Sequence, residues 1–316
     1  MNERMKVMIA YDGSAYADAA LEDLRTAGLP READALIVTV SDGLLKTSLP
    51  IAEDIGMSIG AHRVTSAIAV AKDQAVRLLA EARAFASRAR FRVASYFPDW
   101  EVNTRVLEGL PSRELLQTAE EWQPDLIVVG SQGRSALGRF LLGSVSKKLA
   151  TAARSSVRVV RRTAATDHEA PPRVMIGIDG SIGAERAVRE VGSRVWSDGT
   201  EVRIVAVDDS VSPGTIARIL PTAADMIRSS NEKAMTKARE MAQWAADELG
   251  AIGLKVSVAI KSGDPQRMLL EELKKWNADS VFIGSRGLDQ PDRKSGLGTV
   301  ATGLMMNATS TVEIVR

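Results

Sequence analysis

The feature that most constrains how this chain can fold is an internal repeat. The segment KVMIAYDGSAYADAAL, at Lys6–Leu21, returns without a gap as RVMIGIDGSIGAERAV at Arg173–Val188. Glu108–Gly133 and Ser262–Gly287 match in the same way, sharing Gly, Pro, Trp and Gly-Ser-x-Gly landmarks. Similar composition alone would produce a similar periodicity, but not these landmarks in the same order. We therefore expect one structural unit to occur twice.

A polar connector separates the two copies. The stretch TAATDHEAPP, at Thr163–Pro172, ends in two prolines, which oppose a continuous helix or strand. We place a first domain at residues 1–162, a linker at 163–172 and a second domain at 173–316. Domains of this size are common in proteins.

Apolar runs alternate with helical patterns in each copy. In the first copy the predicted strands are Lys6–Tyr11, Ala35–Val40, Val102–Leu107, Leu126–Val129 and Val157–Val160. The predicted helices are Ser14–Ala27, Ala67–Ala94, Ser112–Trp122 and Ser144–Ala153. Ser14 is a suitable N-cap for the first helix, and Gly28 a suitable C-cap. Apolar strands separated by helices are typical of a parallel sheet covered on both faces, so we predict two open, doubly wound α/β domains.

The composition excludes several classes of site. The chain has no cysteine, which rules out disulfides, thiolate catalysis and cysteine-ligated metals. Its two histidines, His62 and His168, show no ligand spacing, and we interpret both as solvated. Lys and Arg number 41 against 40 Asp and Glu, so no overall field favours binding to nucleic acid or to an anionic membrane. No signal peptide or membrane span is predicted, and the expected location is the cytoplasm.

A glycine-rich stretch after the predicted fourth strand has the spacing of an anion site. It reads Gly130-x-x-Gly133, then nine residues, then Gly143-Ser144 at the start of a predicted helix. Glycines let the main chain approach an anion closely, and the first N–H groups of a helix bind one. A lone Gly-x-x-Gly is explained equally well by a turn, but the longer pattern in a repeated α/β unit favours phosphate. Side chains that could add contacts are Ser131, Ser144, Arg134 and Arg139.

This pattern resembles the ATP-binding motif of the universal stress protein family, G-x2-G-x9-G-(S/T). Asp12–Ser14, Gly130–Arg134 and the run SVRVVR at Ser156–Arg161 resemble the family at its other landmarks, and the resemblance extends over both halves. It implies two tandem domains of the adenine nucleotide α-hydrolase-like type, each with a sheet of five parallel strands. It also implies ATP with Mg²⁺ at the carboxyl ends of the first and fourth strands.

The same resemblance implies which residues hold the nucleotide. Tyr11 and Asp12 would border it, and the main chain of Val40 would meet the adenine. Asp12 has a counterpart in the second copy, which favours contact with the nucleotide or Mg²⁺ over a purely turn-forming role. Other metal ligands are left open. Ribose and phosphates would be held by Val129, Gly130, Ser131, Gly133, Gly143, Ser144 and Val145.

The second copy departs from the motif. Gly298 follows Gly287 after ten residues rather than nine, and the loop between them carries a proline and two aspartates. Proline lacks an N–H donor and carboxylates repel phosphate, so we expect ATP to bind more tightly in the first domain. The equivalent nucleotide-binding positions are nevertheless retained at Asp179, Val207, Gly284, Ser285, Gly287, Gly298, Thr299 and Val300.

The resemblance implies a stress-response or signalling role, with nucleotide state as a regulatory input and an unidentified protein partner. A non-catalytic interaction scaffold and an enzyme of the wider adenine-nucleotide fold group stay open as alternatives. Gly138–Ser144 lacks the lysine of a P-loop and no activated nucleophile lies near it, so at most slow ATP hydrolysis is expected.

The last strand of each copy resembles the strand through which single-domain relatives dimerise. Both Val157–Val160 and Val312–Val315 are short and rich in β-branched residues. We therefore expect the two halves to pair through these strands within one chain. Whether two chains form a homodimer is left open.

Overall fold

Ten strands in the described part of the chain join into one continuous sheet. The computed structural model describes residues 4–41, 60–134, 142–161, 170–208, 221–287 and 296–316. The strands of the first half are β1 (Met5–Ala10), β2 (Ala33–Ser41), β3 (Glu101–Glu108), β4 (Leu126–Gly130) and β5 (Ser156–Val160). Those of the second half are β6 (Arg173–Ile178), β7 (Glu201–Asp208), β8 (Lys255–Ser262), β9 (Ser280–Gly284) and β10 (Thr311–Val315). Their order across the sheet is β3-β2-β1-β4-β5-β10-β9-β6-β7-β8.

Helices cover both faces of this sheet. The first half contributes α1 (Ala15–Asp23), α2 (Gly60–Tyr96), α3 (Pro111–Trp122) and α4 (Ser144–Ala152). The second half contributes α5 (Ile182–Gly192), α6 (Pro221–Ala251), α7 (Pro265–Lys275) and α8 (Thr299–Asn307). Within each half the neighbouring strands are parallel, and the direction of winding reverses between β1 and β4 and between β6 and β9. The predicted fold, a doubly wound α/β domain present twice, is confirmed.

The central strands are buried because helices pack on both of their faces. On one face of the first half, Leu21 of α1 and Val93 of α2 belong to the same apolar cluster as β1. On the other face, Leu115 of α3 and Leu149 of α4 share a cluster with Leu304 of α8. Burial of apolar surface therefore links the two halves. None of the described helices is both long enough and apolar enough to cross a membrane.

The two halves meet where β5 and β10 lie side by side. This pair is antiparallel, with Arg158 opposite Glu313 at its centre, which confirms the predicted pairing of the final strands. Because the strand order of one half mirrors that of the other, the junction relates them by a pseudo-twofold axis. Arg158 and Glu313 are only 1% and 0% exposed, and Arg158 Nη1 donates to Glu313 at 2.8 Å. Buried charges need such partners.

Other residues complete this buried ion network. Arg158 Nε donates to Asp23 at 2.5 Å, and Arg194 donates to both carboxylate oxygens of Glu313. The Thr311 hydroxyl donates to Asp23 at 2.8 Å. Helix α1 ends at Asp23 and continues as a 3-10 turn over Leu24–Thr26, so the single helix expected to Ala27 is corrected. The helix stops where its last residue enters the contact between the halves.

Gly28, expected as the C-cap of α1, also lies at this contact. The C-cap is Leu24 instead. Gly28 has a φ of +65°, and a Cβ atom there would come within 2.7 Å of the Trp196 indole. Its carbonyl accepts a hydrogen bond from the Val195 N–H at 2.9 Å. The glycine thus allows the second half to pack closely.

Helix α2 is longer than expected, because it begins at Gly60 rather than Ala67 and ends at Tyr96. The segment Asp42–Ser66 has no counterpart of similar sequence in the second half, which by sequence alone indicates either a lid or a variable loop. Part of this segment belongs to α2, and residues 42–59 lie outside the described chain. The side chains of His62 and His168 lie outside it as well.

Candidate functional site

A cleft of about 650 Å³ opens at the carboxyl ends of β1 and β4. This is where the winding of the sheet reverses, and such points commonly bind ligands in doubly wound folds. The end of β2, the middle of α2 and the first turns of α3 and α4 complete its wall. Ten of the expected site residues line the cleft: Tyr11, Asp12, Val40, Val129, Gly130, Gly133, Arg134, Gly143, Ser144 and Val145.

Main-chain hydrogen bonds fix the shape of the glycine loop after β4. The Gly143 N–H donates to the Ser131 carbonyl at 2.7 Å, and the Ser131 N–H donates to the Val160 carbonyl at 2.7 Å. The Ser146 hydroxyl donates to the Gly130 carbonyl at 2.6 Å. Ser131 is 2% exposed and does not line the cleft. Its contribution is made by its main chain, which holds the loop together. These bonds place the start of α4 at the cleft.

Helix α4 begins at the cleft without a side-chain cap. Its N-cap is Gly143, with φ −64° and ψ 150°, and glycine has no side chain that could accept from the N–H groups of the first turn. The first N–H groups of a helix have no partner within the helix, and they carry its partial positive charge. The arrangement therefore presents hydrogen-bond donors to an anion.

The three glycines of this loop differ in how closely other atoms approach them. A Cβ atom on Gly130 would come within 2.6 Å of the Tyr16 carbonyl oxygen, so α1 can pack against β4 only over a glycine. A Cβ atom on Gly133 would come within 2.8 Å of Asp12 Oδ2. At Gly143 the nearest atom, the Ser131 carbonyl oxygen, would be 3.2 Å away. Of these three glycines, Gly143 is therefore the one where an added Cβ meets the mildest steric conflict, and it lines the cleft.

Asp12 ties the loop after β1 to the glycine loop. Its Oδ1 accepts from the Ser14 N–H at 3.0 Å, and its Oδ2 accepts from the Arg134 N–H at 3.1 Å. Ser14 in turn accepts from the Ala17 N–H at 3.1 Å, as the expected N-cap of α1. The Asp12 carboxylate thus has a structural task and also lines the cleft.

Comparison with known proteins then identifies the family. The sequence model of the Universal stress protein family matches residues 3–161 and, separately, residues 172–316. This chain belongs to the universal stress protein family. The two matches show two universal stress protein domains in tandem, as the sequence predicted.

Individual relatives agree with this assignment. A universal stress protein of Mycolicibacterium smegmatis is 30% identical over 220 residues, which cover 68% of this chain and 69% of that protein. One from Mycobacterium tuberculosis is 27% identical over 221 residues, which cover 66% of this chain and 64% of that protein. The crystal structure of a universal stress protein from Archaeoglobus fulgidus is similar with a TM-score of 0.58 and 20% identity, covering 98% of each chain. This last likeness shows the fold alone.

The second universal stress protein domain repeats much of the loop geometry. The Gly298 N–H donates to the Ser285 carbonyl at 2.9 Å, and α8 follows without a side-chain cap. Asp179 Oδ1 accepts from the Ser181 N–H at 2.9 Å. The expected departures, a longer loop with a proline and two aspartates, fall at residues 288–295, outside the described chain.

One difference between the domains lies within the described residues. Arg286 stands where the first domain has Gln132, between the two glycines of the loop. Burial, together with the charge of Arg286, lowers the pKa of Arg316 to about 10. The guanidinium of Arg316 donates to the carbonyls of Ser155 and Ala150, near the end of α4. The second domain therefore has a cation at a loop position that is neutral in the first.

Sequence analysis missed the contribution of α2 to the cleft. Phe85 lines the cleft and covers Gly13, whose added Cβ would lie 2.8 Å from the ring. The Arg134 guanidinium lies 5.0 Å from the centre of this ring and forms an ion pair with Glu81 at 2.7 Å. No local signal marks these α2 residues, because their role depends on how the helix crosses the sheet. Further lining residues that were not anticipated include Thr39, Ser41, Leu78, Ala82, Pro111, Leu115, Gln132 and Ser146.

Tyr11 borders the cleft with its hydroxyl already engaged. The side chain is 2% exposed; its hydroxyl donates to Asp18 at 2.6 Å and accepts from Arg88 at 3.1 Å. Burial, reinforced by the hydrogen bond to Asp18, raises the pKa of Tyr11. The phenol therefore stays neutral and links β1 to α1 and α2.

Proposed function

We propose that the first universal stress protein domain binds ATP with Mg²⁺ in this cleft, and that nucleotide state is its regulatory input. The observation that carries the proposal is the uncapped start of α4 beside a glycine loop at the switch point of the sheet. The N–H donors of the first helical turn and the helix dipole converge there, which suits phosphate groups. The cleft volume of about 650 Å³ suits a ligand the size of a nucleotide.

The end of β2 supplies donors and acceptors for the base. The last pairing of β1 is Ala10 with Val38, whereas β2 continues to Ser41. Main-chain groups alternate in direction along a strand, so Val40 presents its N–H and C=O on the same side as Val38, whose carbonyl accepts from Tyr11. An adjacent donor and acceptor suit the edge of an adenine.

Mg²⁺ would be bound mainly through the phosphates and water. No group of three or more His, Asp or Glu side chains in the described ranges forms a metal site by itself. Each Asp12 oxygen accepts one N–H bond from the described residues, which leaves lone pairs for the cation or one of its waters. The residues present therefore fit a cation that arrives with the nucleotide.

Helix α2 offers a route from the nucleotide to the protein surface. Arg134 belongs to the glycine loop, but its guanidinium is paired with Glu81 and lies over Phe85, both on α2. A triphosphate would compete with Glu81 for this guanidinium, because charge-assisted bonds to phosphate are strong. Movement of α2 would then be the signal read by a protein partner, and pull-downs with and without ATP would identify that partner.

The proposal is tested by asking whether the protein contains or binds adenine nucleotide. Purified protein is heat-denatured and the released material is separated by anion exchange; nucleotide-free protein is then titrated with ATP and Mg²⁺ by calorimetry. We expect released adenine nucleotide or a saturable heat of binding, with a rise in Tm as ATP is added. Protein that releases no nucleotide, gives no heat and shows no shift in Tm would support the scaffold alternative instead.

A further inference from the structure

A buried hydroxyl in the cleft has no hydrogen-bond partner among the described residues. Thr39 of β2 is 2% exposed and lines the cleft. Its Oγ1 makes no hydrogen bond to any residue in the part of the chain that the structure describes. An unpaired buried hydroxyl costs folding free energy, and most such groups in proteins are satisfied. A group retained in this state at a cleft wall indicates a missing partner.

The second domain shows that the fold does not require this hydroxyl. The repeat aligns Ala35–Asp42 with Val202–Asp209, so Thr39 corresponds to Ala206. Ala206 is fully buried in β7, which has the same place in the strand order as β2. Alanine thus fills the position without leaving a polar atom unpaired. The unpaired hydroxyl of Thr39 therefore lowers the stability of the first domain in a way that the second domain avoids. Thr39 is also a residue of the cleft wall.

The position of Thr39 favours the base rather than the phosphates. In the sheet, β1 separates β2 from β4 and the glycine loop, where the phosphates are proposed to bind. Thr39 directly precedes Val40, whose main chain is proposed to meet the adenine. Side chains alternate along a strand, so Thr39 lies on the same face as Ile37, the face covered by α2.

We infer that Thr39 Oγ1 forms a hydrogen bond with the purine base of the bound nucleotide. The inference rests on the proposed nucleotide site and adds a base-recognising residue to it. A hydroxyl suits this task because it can donate to a ring nitrogen or accept from an exocyclic amino group.

Three substitutions in the full chain test the inference. Thr39→Val removes the hydroxyl and keeps the shape, Thr39→Ala copies the second domain, and Thr39→Ser keeps the hydroxyl. We expect Thr39→Val and Thr39→Ala to raise the Kd for ATP about fivefold to tenfold, and Thr39→Ser to change it less than about twofold. The Kd for inorganic tripolyphosphate, which has no base, should not change.

Thermal unfolding of the nucleotide-free variants separates recognition from structure. The Tm of Thr39→Val should equal or exceed that of the wild type, because the unpaired hydroxyl is gone. An unchanged Kd for ATP in Thr39→Val would overturn the inference and leave the nucleotide site standing. A lower Tm together with equal rises in the Kd values for ATP and tripolyphosphate would overturn the inference and show that Thr39 has a structural role. No ATP binding by the wild type would overturn the site and the inference together.

Discussion

At the scale of single residues, the glycines of the motif do not share one purpose. Gly130 is required by the approach of α1, since an added Cβ would lie 2.6 Å from the Tyr16 carbonyl oxygen. Gly143 has a backbone conformation open to any residue and a looser environment. The motif predicted both from spacing alone, because sequence does not distinguish a glycine needed for packing from one needed for a ligand. Substitution at Gly143 therefore tests binding, whereas substitution at Gly130 tests the fold.

A buried carboxylate in the second domain gives a prediction of pH dependence. Glu272 of α7 pairs with Arg203 at 2.8 Å and Lys261 at 2.7 Å. Burial opposes its ionisation, but the hydrogen bonds from Lys261 and Arg203 outweigh burial and lower the pKa of Glu272 below 4.5. A carboxyl with a lowered folded-state pKa adds stability above its unfolded pKa and loses it as the pH falls through the folded value.

The variant Glu272→Gln should accordingly be less stable than the wild type at pH 7, and the difference should shrink as the pH falls below about 4.5. Urea unfolding of both proteins between pH 3 and pH 7 measures this difference. A difference in unfolding free energy that stays constant across this range would show that the charge of Glu272 contributes nothing.

At the scale of elements, the β5–β10 pair carries a buried ion pair between the two domains. The strands were predicted from their β-branched runs, and their pairing from the resemblance to the strands through which single-domain relatives dimerise. The sequence did not predict the buried network of Arg158 and Glu313, because each strand shows only one isolated charge. The complementarity appears only when the register brings the two residues opposite each other.

Removing one member of this network should be costly. Arg158→Met leaves Glu313 with fewer partners in a site without solvent, and we expect it to lower the free energy of unfolding by about 3–5 kcal/mol. Arg31→Met is the matched control, because Arg31 pairs with Asp99 on the surface and its side chain is 87% exposed. This substitution should lower the free energy of unfolding by less than about 1 kcal/mol. Chemical denaturation followed by circular dichroism measures both.

The double variant separates charge from packing. In Arg158→Met with Glu313→Met, the central pair is replaced by apolar side chains, so its loss of stability should be smaller than the sum of the two single losses. Strictly additive losses would show that Arg158 and Glu313 are not coupled.

The elements that shape the cleft were only partly predictable. Strands β1 and β4 and the glycine loop follow from apolar runs and glycine spacing, and the cleft lies where these elements meet. Phe85 and Glu81 on α2 could not be found in this way, because their positions depend on the angle at which a long helix crosses the sheet. The packing role of Gly28 could not be predicted for a similar reason, since its neighbour Trp196 belongs to the other domain.

At the scale of the whole molecule, the two domains share one sheet and one apolar cluster. Expressing them separately would expose the β5 and β10 edges and leave the buried charges of the junction without partners. A comparison of nucleotide binding by the two domains must therefore be made in the full chain. Substitutions at the equivalent glycines, Gly143 and Gly298, make this possible.

The most direct test of the account is calorimetric titration of ATP with Mg²⁺ into the wild type, Gly143→Val and Gly298→Val. Gly250→Ala serves as a control, since a Cβ there has no neighbour within 4 Å. With folding verified by circular dichroism, the account predicts that Gly143→Val weakens the tighter binding event about tenfold or more, through lost phosphate contacts. Gly298→Val should affect only a weaker event, or none. Unchanged affinity in Gly143→Val, or loss of the tight event in Gly298→Val alone, would contradict the assignment of ATP to the first domain.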